Sequence, residues 1–182
     1  MKPWRTLSKT VLFKQTPWIT LESHRIELPD GRQLEDWIWI NSPDFVIVAA
    51  VDQQNRFLVF EQTKYAANGL TLAPVGGVRN PDEDPLSAAK RELLEETGYE
   101  SDHWVDLGSF MTDSNRGNGR GYYFLALDAK PSGRGARSDD LEEQELHFFS
   151  PQELADALDN NRVQIITWQA CLTMALMRLS KT

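Results

Sequence analysis

The sequence predicts an α+β sandwich. Three observations carry that expectation: β-rich segments crowd the first third of the chain, one strong amphipathic helix follows them, and further strands precede terminal helices. Strands that do not alternate regularly with helices argue against a doubly wound parallel fold.

Taken in order, residues 18–28 and 34–40 are rich in Ile, Leu and Trp and flank Pro29-Asp30-Gly31, a turn sequence, so they read as paired strands. Residues 45–51 and 56–61 form a second pair across the polar turn Asp52-Gln53-Gln54-Asn55. A loop holding Asn68, Gly69, Pro74, Gly76 and Gly77 leads into the central helix. Asp84 is its N-cap, Pro85 occupies the first helical position where a missing N–H costs nothing, and Gly98 ends it. Leu86, Ala89 and Leu93 supply its apolar stripe. Strands at 107–111 and 121–127 surround a Gly/Arg-rich loop, residues 114–121. A flexible loop at 131–138 and an acidic run at 139–145 come before a short strand at 146–149. Ser150-Pro151-Gln152-Glu153 is a capping box that opens a helix, and a second helical pattern runs from about Gln164 to Leu179.

The chain has 182 residues, 41% hydrophobic and 25% charged, enough for one globular domain with a small extension and a core that needs no disulfide. Its one cysteine, Cys171, lies in an apolar helical pattern and reads as a core residue, which suits a reducing, cytoplasmic setting. The formal net charge of −8 opposes binding to nucleic acid, because no basic excess is available to neutralise phosphates. An acidic protein that handles phosphates needs a cation as intermediary. Lys2, Arg5 and Lys9 are followed by no apolar run, and residues 45–51, the longest apolar stretch, are too short to span a bilayer, so neither a signal peptide nor a membrane partner is expected.

The chemistry concentrates between Gly76 and Tyr99. Glu92, Glu95 and Glu96 fall at i, i+3 and i+4, on one face of the central helix. A solvated acidic face is one reading. Against it, like charges at this spacing repel by about 0.2–0.5 kcal/mol per pair, so the cluster asks for a counter-charge. Adjacent hard oxygen ligands are what Mg²⁺ takes, together with phosphate oxygens, and Mn²⁺ is a workable substitute. Gly76 and Gly77 let the backbone approach closely, so a loop carbonyl is available to complete a coordination sphere.

The stretch Gly77-x5-Glu83-x7-Arg91-Glu92-Leu93-x-Glu95-Glu96-x-Gly98-Tyr99 resembles the Nudix box, with each polar and glycine position filled and only the terminal Tyr99 departing from an aliphatic residue. The resemblance implies a Nudix-type α/β/α sandwich with a mixed central sheet, and an N-terminal antiparallel strand extension. It further implies a Mg²⁺-dependent enzyme whose metal is held by Glu92, Glu95 and Glu96 with Gly76 and Gly77 beside it. Arg91 would fix the carboxylates, through Glu95 at i+4, or else be an ordinary surface pair. Glu83 would stabilise the loop–helix–loop unit.

Outside the box the chain resembles the ADP-ribose pyrophosphatase branch of that superfamily, in Leu28-Pro29-Asp30-Gly31, Asp44-Phe45-Val46-Ile47-Val48, Phe60-Glu61-Gln62 and Phe124-Leu125-Ala126. Two departures lie beside the substrate: Leu72 stands where the branch carries Glu, and Val75 and Gly76 together separate Pro74 from the box. The resemblance implies cleavage of ADP-ribose or an ADP-sugar to AMP and a sugar phosphate. Other nucleotide sugars, dinucleotides or nucleoside triphosphates form the alternative, and a non-catalytic nucleotide-binding regulator a third reading that the intact acids oppose. Glu142, in the element Glu142-x-x-Glu145, is expected as general base or extra ligand, with Asp140 and Glu143 as rivals. Arg116 and Arg120 either clamp a terminal phosphate or are solvated loop residues. Residues 1–42 form the expected N-terminal β extension and dimerisation segment, and 43–182 the hydrolase domain with its box at 77–99. Trp4, Trp18, Trp37 and Trp39 give the extension more apolar area than a free surface favours, so a homodimer is expected.

Overall fold

The computed structural model describes residues 1–136 and 143–181. The chain divides into two compact units, Met1–Asp44 with Phe110–Arg120, and Phe45–Ser109 with Gly121–Thr182.

The first unit is an antiparallel meander of β1 (Arg5–Gln15), β2 (Ile19–Glu27) and β3 (Gln33–Asn41). β2 pairs with both neighbours, from Arg5↔Glu27 to Gln15↔Ile19 on one side and from Thr20↔Asn41 to Glu27↔Gln33 on the other. Pro29-Asp30-Gly31 makes the β2–β3 turn, with Gly31 at φ +88° and its N–H donating to the Leu28 carbonyl at 2.9 Å. β1 lies N-terminal to the strands expected from sequence. Ten of its eleven residues are exposed, so neither face has the apolar alternation that would have announced it.

The second unit holds a mixed sheet. β4 (Phe45–Asp52) runs parallel to the part of β10 (Gly117–Pro131) that belongs to this unit, from Phe45↔Gly121 to Ala50↔Ala126, and antiparallel to β5 (Phe57–Thr63) at Ala50↔Leu58. β11 (Gln144–Phe149) lies antiparallel on the other side of β5. The stretch read as a glycine-rich loop instead contains two short strands, β6 (Leu70–Ala73) and β7 (Val75–Val78). Pro74 separates them, and the chain changes partners there: β6 pairs with β5 and β7 with β4. A proline cannot continue a ladder, so the break falls where sequence places it and the pairing on either side does not show in composition. β8 (Tyr99–Glu100) and β9 (His103–Asp113) pair with β10.

Alternation along β4 sends Val46, Val48 and Ala50 to one face and Ile47, Ala49 and Val51 to the other. The first face packs on Ala88, Ala89 and Leu93 of α1 (Pro85–Thr97). The second packs on Leu154, Ala157 and Leu158 of α2 (Pro151–Asp159) and on Cys171, Leu172 and Ala175 of α3 (Ile166–Leu179). Helices therefore cover both faces, which is the expected α/β/α layering. Among the described residues no helix is long and apolar enough to cross a membrane.

Candidate functional site

The site is built on α1. Asp84 caps its start, accepting from the Ser87 N–H at 3.0 Å, and Pro85 follows in the first turn. Gly98 closes it at φ +72°, a left-handed conformation that a side chain would strain, with its N–H donating to the Leu94 carbonyl. Burial of Ala88, Ala89 and Leu93 fixes the rotation of the helix, and that rotation sets where the acids lie.

The three acids sit in different environments. Glu92 is 8% exposed, Glu96 is half-buried and Glu95 is exposed. A solvated acidic face therefore describes Glu95 and in part Glu96. Glu92 is tucked under β7, where a Cβ on Gly77 would collide with its carboxylate. Gly76 is as tightly placed: a Cβ there would stand 2.6 Å from the Val46 carbonyl oxygen, and its N–H donates to Glu96 Oε2 at 3.3 Å. Both glycines are thus required by close approach, Gly77 to an acid and Gly76 to a neighbouring strand.

Arg91 supplies the counter-charge that the acids call for. Its Nη1 donates to Glu92 Oε1 at 2.7 Å and to Glu95 Oε2 at 3.0 Å. Its principal partner is Glu83, gripped through Nε at 2.9 Å and Nη2 at 3.0 Å. The i+4 contact with Glu95 is present, but it is one arm of a larger network. Glu83 also accepts from the Asn80 N–H and side-chain amide, at 3.2 and 3.1 Å, and its own carbonyl accepts from Arg79 Nη1 at 2.7 Å. Hydrogen bonding from Arg91 holds the Glu83 carboxyl down at about 2, and the same contact pushes the Arg91 guanidinium above its ordinary range. Arg79 and Asn80 were not singled out from sequence, since they occupy unspecified positions of the box.

Among the described residues, no three His, Cys, Asp or Glu side chains converge tightly enough to enclose an ion on their own. Glu92 and Glu95 are turned to Arg91, and Glu96 accepts from Gly76. The donor set nevertheless suits a hard divalent cation that keeps some of its coordination for water or substrate. It consists of carboxylate oxygens on one helix face, with a backbone bend that has no side chain to block them. Glu142 and Asp140 lie outside the described residues, and Glu143 is exposed just ahead of β11. Arg116 and Arg120 belong to the first unit. There the Arg116 guanidinium lies 5.6 Å from the Trp37 ring and donates to the Ile38 carbonyl at 3.4 Å, while the Arg120 N–H donates to Asp44 Oδ1 at 3.0 Å.

The family model of the NUDIX domain matches residues 41–169, and that of the nucleoside diphosphate sugar hydrolase N-terminal domain matches residues 4–39. The chain is 26% identical over 163 residues to the methanol dehydrogenase activator of Bacillus methanolicus, covering 85% of this chain and 88% of that protein. It is 27% identical over 122 residues to the ADP-ribose pyrophosphatase of Bacillus subtilis, covering 67% of this chain and 65% of the relative. A crystal structure of an ADP compounds hydrolase superimposes with a TM-score of 0.81 at 16% identity, covering 100% of this chain and 96% of that one, and so shares the fold. The NUDIX match spans most of the chain and takes in the whole of the acid-bearing helix, and the protein accordingly belongs to the Nudix family of hydrolases.

Proposed function

We propose that the enzyme cleaves the pyrophosphate bond of ADP-ribose or an ADP-sugar, yielding AMP and a sugar phosphate, in a divalent-cation-dependent reaction. The observation that carries the reading is the convergence of Arg91, Glu92 and Glu95 beside the Gly76–Gly77 bend, with Glu96 hydrogen-bonded to that bend. The likeness to an ADP-ribose pyrophosphatase, and the match of residues 4–39 to a nucleoside diphosphate sugar hydrolase N-terminal domain, support this substrate class.

In this reading Glu92, Glu95 and Glu96 hold Mg²⁺, or Mn²⁺ in its place, with the Gly76–Gly77 backbone alongside. A divalent cation held there would supply neutralisation of phosphate charge and activation of the attacking water. Arg91 offsets repulsion between Glu92 and Glu95, so the acids stay grouped before substrate arrives. Glu83 holds Arg91 in place and acts as a positioning residue. Glu142 is the general base that takes the proton of the attacking water, or else an extra ligand, with Asp140 and Glu143 as the rival carboxylates for that role. Water oxygen bonds to one phosphorus, and the bridging P–O bond breaks toward the other phosphate.

Residues 1–42 serve as a dimerisation segment ahead of the hydrolase domain at 43–182. The support is exposed apolar area on the first hairpin, where Val11, Leu12, Phe13 and Trp18 are all more than half exposed. A light-scattering mass of one chain at micromolar concentration would count against a homodimer. The substrate reading is tested with ADP-ribose, other nucleotide sugars, cytidine nucleotides and nucleoside triphosphates, each with and without Mg²⁺. Mg²⁺-stimulated release of AMP from an ADP-sugar is expected. Turnover confined to triphosphates would overturn it.

A further inference from the structure

Between the first turn of α1 and strands β9 and β10 lies a cleft of about 410 Å³ that the hydrolytic machinery does not use. Its lining combines aromatic rings with two fixed carboxylates. Trp104 packs edge-on against Phe124, with centroids 6.3 Å apart, and its Nε1 donates to the Ser101 carbonyl at 2.8 Å, so the indole is locked in place. Tyr122 also lines the cleft, and the Arg79 guanidinium lies 5.6 Å from its ring. Asp84 is anchored through Oδ2 on Ser87, and Asp106 through Oδ1 on the Gly108 N–H at 2.7 Å. The remaining oxygen of each carboxylate accepts no hydrogen bond from any described residue.

We infer that this cleft binds a polyhydroxylated sugar ring: the sugar half of the nucleotide-linked substrate, a proposal that rests on the hydrolase reading given above. The lining argues for that chemistry. Ring faces suit the C–H face of a pyranose or furanose, and oriented carboxylates with an open oxygen accept from vicinal hydroxyls. Among the described residues no lysine, arginine or histidine lines the cleft, and two carboxylates repel phosphate, so the phosphates belong elsewhere. Position fits as well. Pro85 and Leu86 line the cleft, and Glu92 stands seven residues on from Pro85, about 10 Å along the helix axis at the α-helical rise. That spacing lets one ligand reach from the cleft to the acids through a pyrophosphate. The two regions are also mechanically joined, since Arg79 contacts Tyr122 and donates to the Glu83 carbonyl, and Glu83 holds Arg91.

The test is calorimetric titration of the full chain with ADP-ribose and with ADP, without divalent cation so that no turnover intervenes. Asp106→Asn keeps the shape of the side chain and its anchoring oxygen. It is expected to weaken ADP-ribose binding about tenfold, the loss of one charge-assisted hydrogen bond, and to leave ADP unchanged. Trp104→Leu should do the same, and Trp104→Phe should restore most of the difference. If Trp104→Leu lowers the melting temperature, the exposed Asp106 still decides the matter. Equal weakening of both ligands, no weakening of either, or a wild-type protein that does not bind ADP-ribose would each overturn the inference. A separate assay of ADP-ribose hydrolysis with Mg²⁺ keeps the two claims apart. Binding that depends on Asp106 without cleavage sinks the proposed reaction and leaves the cleft, whereas cleavage indifferent to Asp106 does the reverse.

Discussion

Arg91 holds Glu83 through two parallel hydrogen bonds, Nε to Oε1 at 2.9 Å and Nη2 to Oε2 at 3.0 Å. This bidentate pair ties the loop before α1 to the middle of the helix, eight residues on, and leaves Nη1 to reach Glu92 and Glu95. A guanidinium is suited to this task because its planar fork matches one carboxylate while a further N–H remains for others.

Glu83→Gln removes the charge but keeps one acceptor. A charge-assisted bond on a largely buried pair is worth about 1–2 kcal/mol, so urea denaturation should show a loss of that order. The hydrolysis rate should fall further than stability alone explains, because Arg91 is then free to swing from Glu92 and Glu95. Arg91→Lys should behave similarly, since an ammonium offers no fork.

The pair also predicts a pH dependence. Glu83 is held at about 2 in the folded chain against an ordinary 4.5, so its contribution is complete above about 4.5 and is lost as pH falls toward 2. Melting temperatures of wild type and Glu83→Gln should therefore differ at pH 6 and converge as the solution approaches pH 2. A gap that stays constant across that range would contradict the assignment.

Gly77→Ala places a methyl group against the Glu92 carboxylate. The acid must move, and under the proposed metal-holding role its displacement should cost about tenfold or more in kcat. Far-ultraviolet circular dichroism should remain that of wild type while kcat falls. An unaltered kcat would show that the position of Glu92 does not matter.

How much of this was legible in the sequence follows from which signals are local. Asp84, Pro85 and Gly98 marked the ends of α1 to the residue, because caps depend on backbone geometry within one turn. The 3.6-residue spacing of Ala89 and Leu93 then placed Glu92, Glu95 and Glu96 on one side. Glu92 was harder to read, since its burial depends on β7 lying over it, a long-range contact. β1 escaped because its residues are exposed on both faces, and β6 and β7 because Pro74, Gly76 and Gly77 resemble loop composition while the backbone pairs with β5 and β4. Arg79 shows the same limit. Its guanidinium donates to the Pro81 and Glu83 carbonyls and lies by the ring of Tyr122, contacts that no spacing rule connects to it.

Cys171 offers a check on the core. It is fully buried against α2 and the sheet, and desolvation pushes its thiol up to about 12. The folded protein should not react with a thiol-specific reagent at pH 8, whereas urea-unfolded protein should react with one equivalent. Prompt modification of the native chain would mean that this side of the sheet opens.

The role of the acid cluster is read from Glu96→Gln beside wild type, at saturating Mg²⁺ and with an ADP-sugar as substrate. A kcat reduced by about a thousandfold or more is expected at a melting temperature within a few degrees of wild type, since one half-buried carboxylate is lost and no core contact is broken. Wild-type turnover in that variant would contradict it.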